Sequence, residues 1–117
     1  MSRGSREKRL EAGRRWNALA KMLYRHFGQD FWMRFESFEA ARSAAVDSLD
    51  HRACKEVASE WWDWNATAGA VEDIRAALAH LGVEPPFDTA AEARKFMNQA
   101  YDALILAVRS KEPGWEP

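Results

Sequence analysis

A chain of 117 residues with 47% apolar residues, six Trp and six Phe can build one globular core, which excludes an intrinsically disordered polypeptide. Its single cysteine excludes an internal disulfide, and its apolar runs are too short to cross a bilayer. No apolar segment follows the basic N-terminal residues, so we expect no secretory signal and no membrane association. We predict a cytoplasmic protein of one helical domain, residues 1–117, with frayed tails at 1–5 and 112–117.

The formal net charge of −1 conceals two oppositely charged stretches of sequence. Residues 1–34 contain nine Lys and Arg against three acids, whereas residues 35–92 contain twelve acids against four bases. Such segregation bears on the choice of partner and on association rates rather than on the fold.

The first three predicted helices cover residues 5–27, 31–49 and 50–65. Apolar residues recur at helical spacing along each of them. We expect Gly28 to end the first helix in the left-handed conformation and Asp30 to cap the second. No Gly or Pro separates the second helix from the third, so one long bent helix is an open alternative there.

The fourth predicted helix covers residues 67–81 and ends at Gly82. The sequence Thr89-Ala-Ala-Glu92 has the form of a capping box, which predicts a fifth helix over 90–110. Short connections favour antiparallel neighbours, so we predict an all-α fold, a compact antiparallel bundle of four to five helices. Ile105 and Leu106 lie off the apolar stripe of the fifth helix. This favours a central helix over a face that binds a partner, although a homodimer stays open.

Carboxylates line the sides of the second and third helices that face away from the core. They can steer a basic protein or imitate the phosphates of nucleic acid, and the alternative is an ordinary solvated face. Trp61 and Trp64 share the predicted core face, whereas Trp62 points away from it and is a candidate anchor. The predicted partner-binding residues are Glu36, Glu39, Asp47, Asp50, Glu56, Glu60, Trp62 and Asp63.

The basic N-terminal segment is a rival site, because an arm of cations that leads into a helix can contact phosphates. In the alternative interpretation, these charges are solvated or pair with the acidic helices of the same fold. The candidate nucleic-acid-binding residues are Arg3, Arg6, Arg9, Arg14, Lys21 and Arg25.

Catalysis has little support in the sequence. His26, His51 and His80 are spread over separate helices, Cys54 lies on a core stripe, and no glycine-rich phosphate loop is present. We therefore expect no catalytic residue, no metal and no cofactor. An enzyme with His51 beside carboxylates is the third possibility.

In size, helicity and acidic surface the chain is similar to small helical inhibitors, such as bacterial toxin-immunity proteins and phage-encoded inhibitors. The resemblance involves no specific motif. It implies a non-enzymatic protein that blocks or regulates a basic partner protein, such as a nuclease, a toxin or a nucleic-acid-binding complex. The alternative function is a small nucleic-acid-binding regulator that uses the basic N-terminal arm and the first helix.

Overall fold

The part of the chain that the structure describes contains seven helices. The structure is a computed structural model that describes residues 3–28, 31–83 and 87–117, and the side chains of 6–28, 33–83 and 87–117. These ranges contain no strand, and the prediction of an all-α fold is confirmed. The helices are α1 (Arg3–Arg15), α2 (Asn17–Phe27), α3 (Phe31–Arg34), α4 (Phe38–Asp47), α5 (His51–Ala66), α6 (Arg75–His80) and α7 (Ala90–Arg109).

Four of the longer helices, α2, α4, α5 and α7, surround the core. Both α4 and α5 pack against α2 and α7, so α4 and α5 lie at opposite corners of the bundle. Helices α5 and α7 are antiparallel, because Asn65 at the end of α5 bonds to Arg94 near the start of α7. At their other ends, Lys55 bonds to Glu112. Helix α1 packs on α2 and α6 beside this bundle.

The first predicted helix is in fact two helices, α1 and α2, which meet at Trp16. Trp16 has φ −118° and ψ 56°, well outside helical geometry. Helical hydrogen bonding nevertheless continues on both sides of Trp16, from Trp16 N to Ala12 O and from Ala20 N to Trp16 O. The chain therefore bends at Trp16 but does not reverse its direction. Gly28 is extended (φ −81°), so the prediction of a left-handed residue is wrong. A Cβ at Gly28 would overlap the Tyr24 carbonyl oxygen, which explains the glycine.

The second predicted helix is also divided, into α3 and α4. Ser37 is extended and accepts a hydrogen bond from Ala40 N at 3.1 Å, which starts α4. Asp50 is likewise extended and accepts from Ala53 N at 2.8 Å, which starts α5. The break between the second and third predicted helices is therefore confirmed, and one bent helix is excluded. The predicted cap Asp30 lies outside the described residues.

The fourth predicted helix is much shorter than expected, because only α6 is helical and residues 67–74 form turns. The N–H groups of Thr67 and Gly69 both donate to the Trp64 carbonyl oxygen, at 3.2 and 2.8 Å. The chain thereby folds back over the Trp64 ring. Val71, within this stretch of turns, is 48% exposed. Gly82 does stop α6 in the left-handed region (φ 87°), as expected.

The fifth predicted helix is confirmed as α7, with Thr89 accepting a hydrogen bond from Glu92 N at 3.1 Å. It packs on α4, α5 and α6, which gives it a central position, although Leu106 stays exposed. Among the described residues, no helix is both long and apolar enough to span a membrane.

The C-terminal segment is docked, in contrast to the frayed tail expected for 112–117. The Trp115 ring packs against the core with Lys55 Nζ 5.9 Å from its centroid, and its carbonyl oxygen accepts from Arg109 Nε at 2.9 Å. An aromatic ring and a carboxylate, Glu112, thus give this short segment partners on the bundle. At the other end, residues 3–5 belong to α1, and residues 1 and 2 lie outside the described part of the chain.

Candidate functional site

Two of the predicted partner-binding acids are bound within the fold. Glu60 Oε1 accepts the backbone N–H of Leu19 at 3.0 Å. Asp63 accepts from the Trp16 indole nitrogen at 2.7 Å and from Arg15 Nε at 3.0 Å. The first N–H groups of a helix lack partners within it, so Glu60 caps α2 from a neighbouring helix. Together the two carboxylates of α5 hold the bend at Trp16.

The surroundings of these two carboxylates move their pKa values in opposite directions. Burial raises the pKa of Glu60, and the bond from Leu19 N–H only partly offsets it. The hydrogen bonds from Trp16 and Arg15 lower the pKa of Asp63. The pair formed by Arg15 and Asp63 also means that the basic N-terminal segment meets the acidic helix of its own fold at this point.

The other predicted acids are spread over separate parts of the bundle. Glu39 and Asp47 lie on α4, and Glu36 lies in the connection before it. Asp50 caps α5, and Glu56 is exposed on α5 one turn before Glu60. Because α4 and α5 occupy opposite corners, the structure does not gather the eight predicted residues on one face.

Trp62 is exposed over 55% of its surface and turns toward α7. Its ring centroid lies 6.3 Å from that of Tyr101, and the Tyr101 ring in turn stacks on buried Trp61 at 4.1 Å. Glu60 and Asp63 face α1 and α2, so Trp62 lies on a different side of α5 from those acids. We call the surface formed by Trp62 and Tyr101 the α5–α7 face.

Two grooves flank α1. The larger, of about 470 Å³, separates α1 from α6 and the 67–73 turn. We call it the apolar groove, and its residues include Ala12, Trp16, Trp64, Ala68, Val71 and Ala77, with Lys8, Glu11, Asp73 and His80 also lining it. The smaller, of about 300 Å³, lies between the bent α1–α2 pair and the end of α6, and we call it the basic groove. It is lined by Arg9, Gly13, Asn17, Ala20, Lys21, Tyr24, His80, Leu81 and Gly82.

The basic groove collects two of the predicted nucleic-acid-binding residues, Arg9 and Lys21. Arg6, Arg14 and Arg25 are exposed on the same two helices, and the Arg3 side chain lies outside the described set. Sequence reasoning missed Tyr24 and His80 as groove residues. Tyr24 could have been found, because it continues the helical spacing of Arg9, Gly13, Asn17 and Lys21 along the polar side of the chain.

A cluster of His51, Lys55 and Glu112 joins the C-terminal segment to α5. Glu112 Oε1 lies 3.2 Å from His51 Nε2 and 3.0 Å from Lys55 Nζ, and these two groups lower the pKa of Glu112. Neighbouring Cys54 is buried, and burial raises the pKa of its thiol, which opposes thiolate formation. Within the described side chains, no three His, Cys, Asp or Glu residues are grouped as a metal site would require. The cluster therefore has a geometry that attaches the C-terminal segment to α5.

Comparison with known proteins gives no assignment: the chain matches no family model, no curated protein and no solved structure.

Proposed function

We propose that this chain is a non-enzymatic binding protein whose contact surface is the α5–α7 face, with Trp62 as its anchor. The observation that carries the proposal is an exposed tryptophan whose ring lies next to other aromatic rings. Trp62 leaves 55% of its surface open while its ring lies beside Tyr101, which is itself stacked on buried Trp61.

Such an arrangement favours binding for two physical reasons. A large apolar ring in water gains free energy when a partner covers it, and tryptophan is enriched among the residues that dominate interface energies. A ring already backed by other rings also loses less conformational entropy on binding than a free one does. The three neighbouring rings of Trp61, Tyr101 and Trp62 meet both conditions.

The charges favour a basic partner protein. Asp102 is exposed next to Tyr101 on α7, and Glu56, Glu39 and Asp47 are exposed elsewhere on α5 and α4. Electrostatic steering acts over a Debye length of roughly 8 Å at physiological ionic strength and beyond it at lower salt, so steering charges need not share the contact face. Glu60 and Asp63 are left out of the contact, because they cap and brace α2. A cytoplasmic inhibitor of a nuclease, a toxin or a nucleic-acid-binding complex fits this chemistry.

The test is affinity capture from a nuclease-treated lysate of the host, followed by binding measurements with the purified partner. We expect Trp62→Ala to weaken binding by about 2 kcal/mol, or roughly thirtyfold. Leu10→Ala is the matched control, because Leu10 is also exposed and apolar but lies on α1, which contributes nothing to the α5–α7 face. Circular dichroism would confirm that both variants fold. A partner that binds wild type and Trp62→Ala equally well would overturn the proposal.

The charge component has its own test on the same partner. We expect Asp102→Lys combined with Glu56→Lys to lower the association rate and to flatten its dependence on salt, with a smaller effect on the dissociation rate. An unchanged association rate would show that the partner is not chosen by its positive charge. Lys95→Glu is a control that changes charge in the opposite direction on an exposed site of α7.

A further inference from the structure

The basic groove has the charge of an anion-binding site. Arg9 and Lys21 line it from α1 and α2, and no carboxylate is present among the described residues that form its walls. Asn17 and His80 add polar groups between these two cations. The groove is independent of the α5–α7 face, because it lies on helices that contribute nothing to that face.

Gly13 has a position in this groove that packing does not explain. It lies inside α1, where glycine costs about 1 kcal/mol relative to alanine. A Cβ built on Gly13 would meet no atom within 4 Å, and its φ is not positive, so neither crowding nor backbone conformation requires a glycine. What the missing side chain does provide is open space in the groove.

Tyr24 contributes an aromatic ring with an open surface to this groove. It is 63% exposed, and one edge of the ring lies beside Gly82, where a Cβ would lie 2.9 Å from Tyr24 Cδ2. Nucleobases stack on such rings, and a positively charged groove beside a stacking platform is the usual arrangement of single-strand binding sites.

We infer that the basic groove binds a nucleoside phosphate unit, with the base stacked on Tyr24 and the phosphate held by Arg9 and Lys21. The volume of about 300 Å³ suits one such unit and is too small for a duplex. An acidic peptide would use the cations but would leave the Tyr24 ring without a partner. The exposed side chains of Arg6, Arg14 and Arg25 extend the positive surface along both helices, as a strand of linked units requires.

His80 fits this role as a neutral group. Burial lowers its pKa, and the nearby charges of Lys8 and Arg9 lower it further. A neutral imidazole has one donor and one acceptor nitrogen, so His80 can bond to a base edge or a sugar hydroxyl.

The test measures fluorescence anisotropy of a labelled single-stranded oligonucleotide with the full chain, with the unlabelled single strand, a duplex of the same sequence and adenosine monophosphate as competitors. We expect the single strand to compete better than the duplex. If the groove takes free nucleotides, adenosine monophosphate will displace the strand fully; if it takes linked units, displacement will be weak. If the labelled strand does not bind, the inference is overturned.

Three variants separate the groove from general charge. Tyr24→Ala should weaken strand binding about tenfold, since stacking on one base is worth about 1–3 kcal/mol. Lys21→Gln should reduce the slope of log affinity against log salt by about 0.7, whereas the control Lys95→Gln should not. Gly13→Leu should fill the groove and weaken binding by at least about tenfold while leaving the protein as stable as wild type or more so. Binding that is unaffected by both Tyr24→Ala and Gly13→Leu would overturn the inference. Because Trp62→Ala should leave strand binding unchanged, failure here is distinguishable from failure of the proposed function.

Discussion

Replacing Glu60 by alanine removes the carboxylate that caps α2 from α5. The Leu19 residue whose N–H it accepts is fully buried, so after the substitution that N–H has no solvent to replace Glu60. A buried donor left without a partner costs about 1–3 kcal/mol, and a lost helix cap costs about 1 kcal/mol within the same range. We expect the free energy of unfolding to fall by about 2 kcal/mol, which lowers the melting temperature by about 6–10 °C for a domain of this size.

The assay is urea unfolding followed by far-ultraviolet circular dichroism, which does not depend on the tryptophans near the site. Glu56→Ala is the matched control, because Glu56 is an exposed glutamate one turn earlier on the same helix. Its effect should stay within about 0.5 kcal/mol, as for most surface substitutions. If Glu60→Ala costs no more than Glu56→Ala, the capping argument is refuted.

The Glu60→Gln variant keeps the size and shape of the capping side chain but removes its charge. Burial raises the pKa of Glu60 in the folded chain, so the folded state binds this proton more tightly than the unfolded state does. The resulting contribution to stability is fully present at pH values below the pKa of Glu60 in the unfolded chain. It is lost as the pH rises through the pKa of Glu60 in the folded chain. Wild type should therefore gain stability relative to Glu60→Gln as the pH is lowered from neutral through that interval. A difference that does not change with pH would contradict the assigned direction.

Three further predictions concern other sites. Arg75 holds the pKa of Asp73 at about 2. In Arg75→Gln the pKa of Asp73, measured by nuclear magnetic resonance titration, should rise toward 3.8. An unchanged pKa would show that the pair does not form in solution. Gly69→Ala should lower the free energy of unfolding by about 1–3 kcal/mol in urea titrations, since its Cβ would lie 2.7 Å from the Trp64 ring; an unchanged midpoint would refute that packing. Trp115→Ala should cost about 1–2 kcal/mol and speed amide exchange in residues 112–117, whereas a frayed tail would show neither effect.

The features that the sequence predicts well are those set by neighbouring residues. The side chain of Thr89 and the conformational freedom of Gly82 act within one turn of the helix ends that they mark. Trp61 and Trp64, at 3% and 0% exposure, follow from helical spacing in the same way. Each of these signals is local, so it can be read without knowing the rest of the fold.

The features that the sequence does not predict depend on residues far apart in the chain. The bend at Trp16 is stabilised by Glu60 and Asp63, which are separated in sequence from their partners Leu19 and Trp16 by 41 and 47 residues. Because of these contacts, Glu60 and Asp63, which we expected to steer a partner, stabilise the fold instead. Docking of the tail likewise requires Lys55, which no pattern near Trp115 could reveal.

The bend at Trp16 also places α1 between the two grooves. Lys8, Glu11 and Ala12 line the apolar groove on one side of this helix, whereas Arg9 and Gly13 line the basic groove on the other. His80 borders both grooves as well, so its replacement would change the lining of both at once.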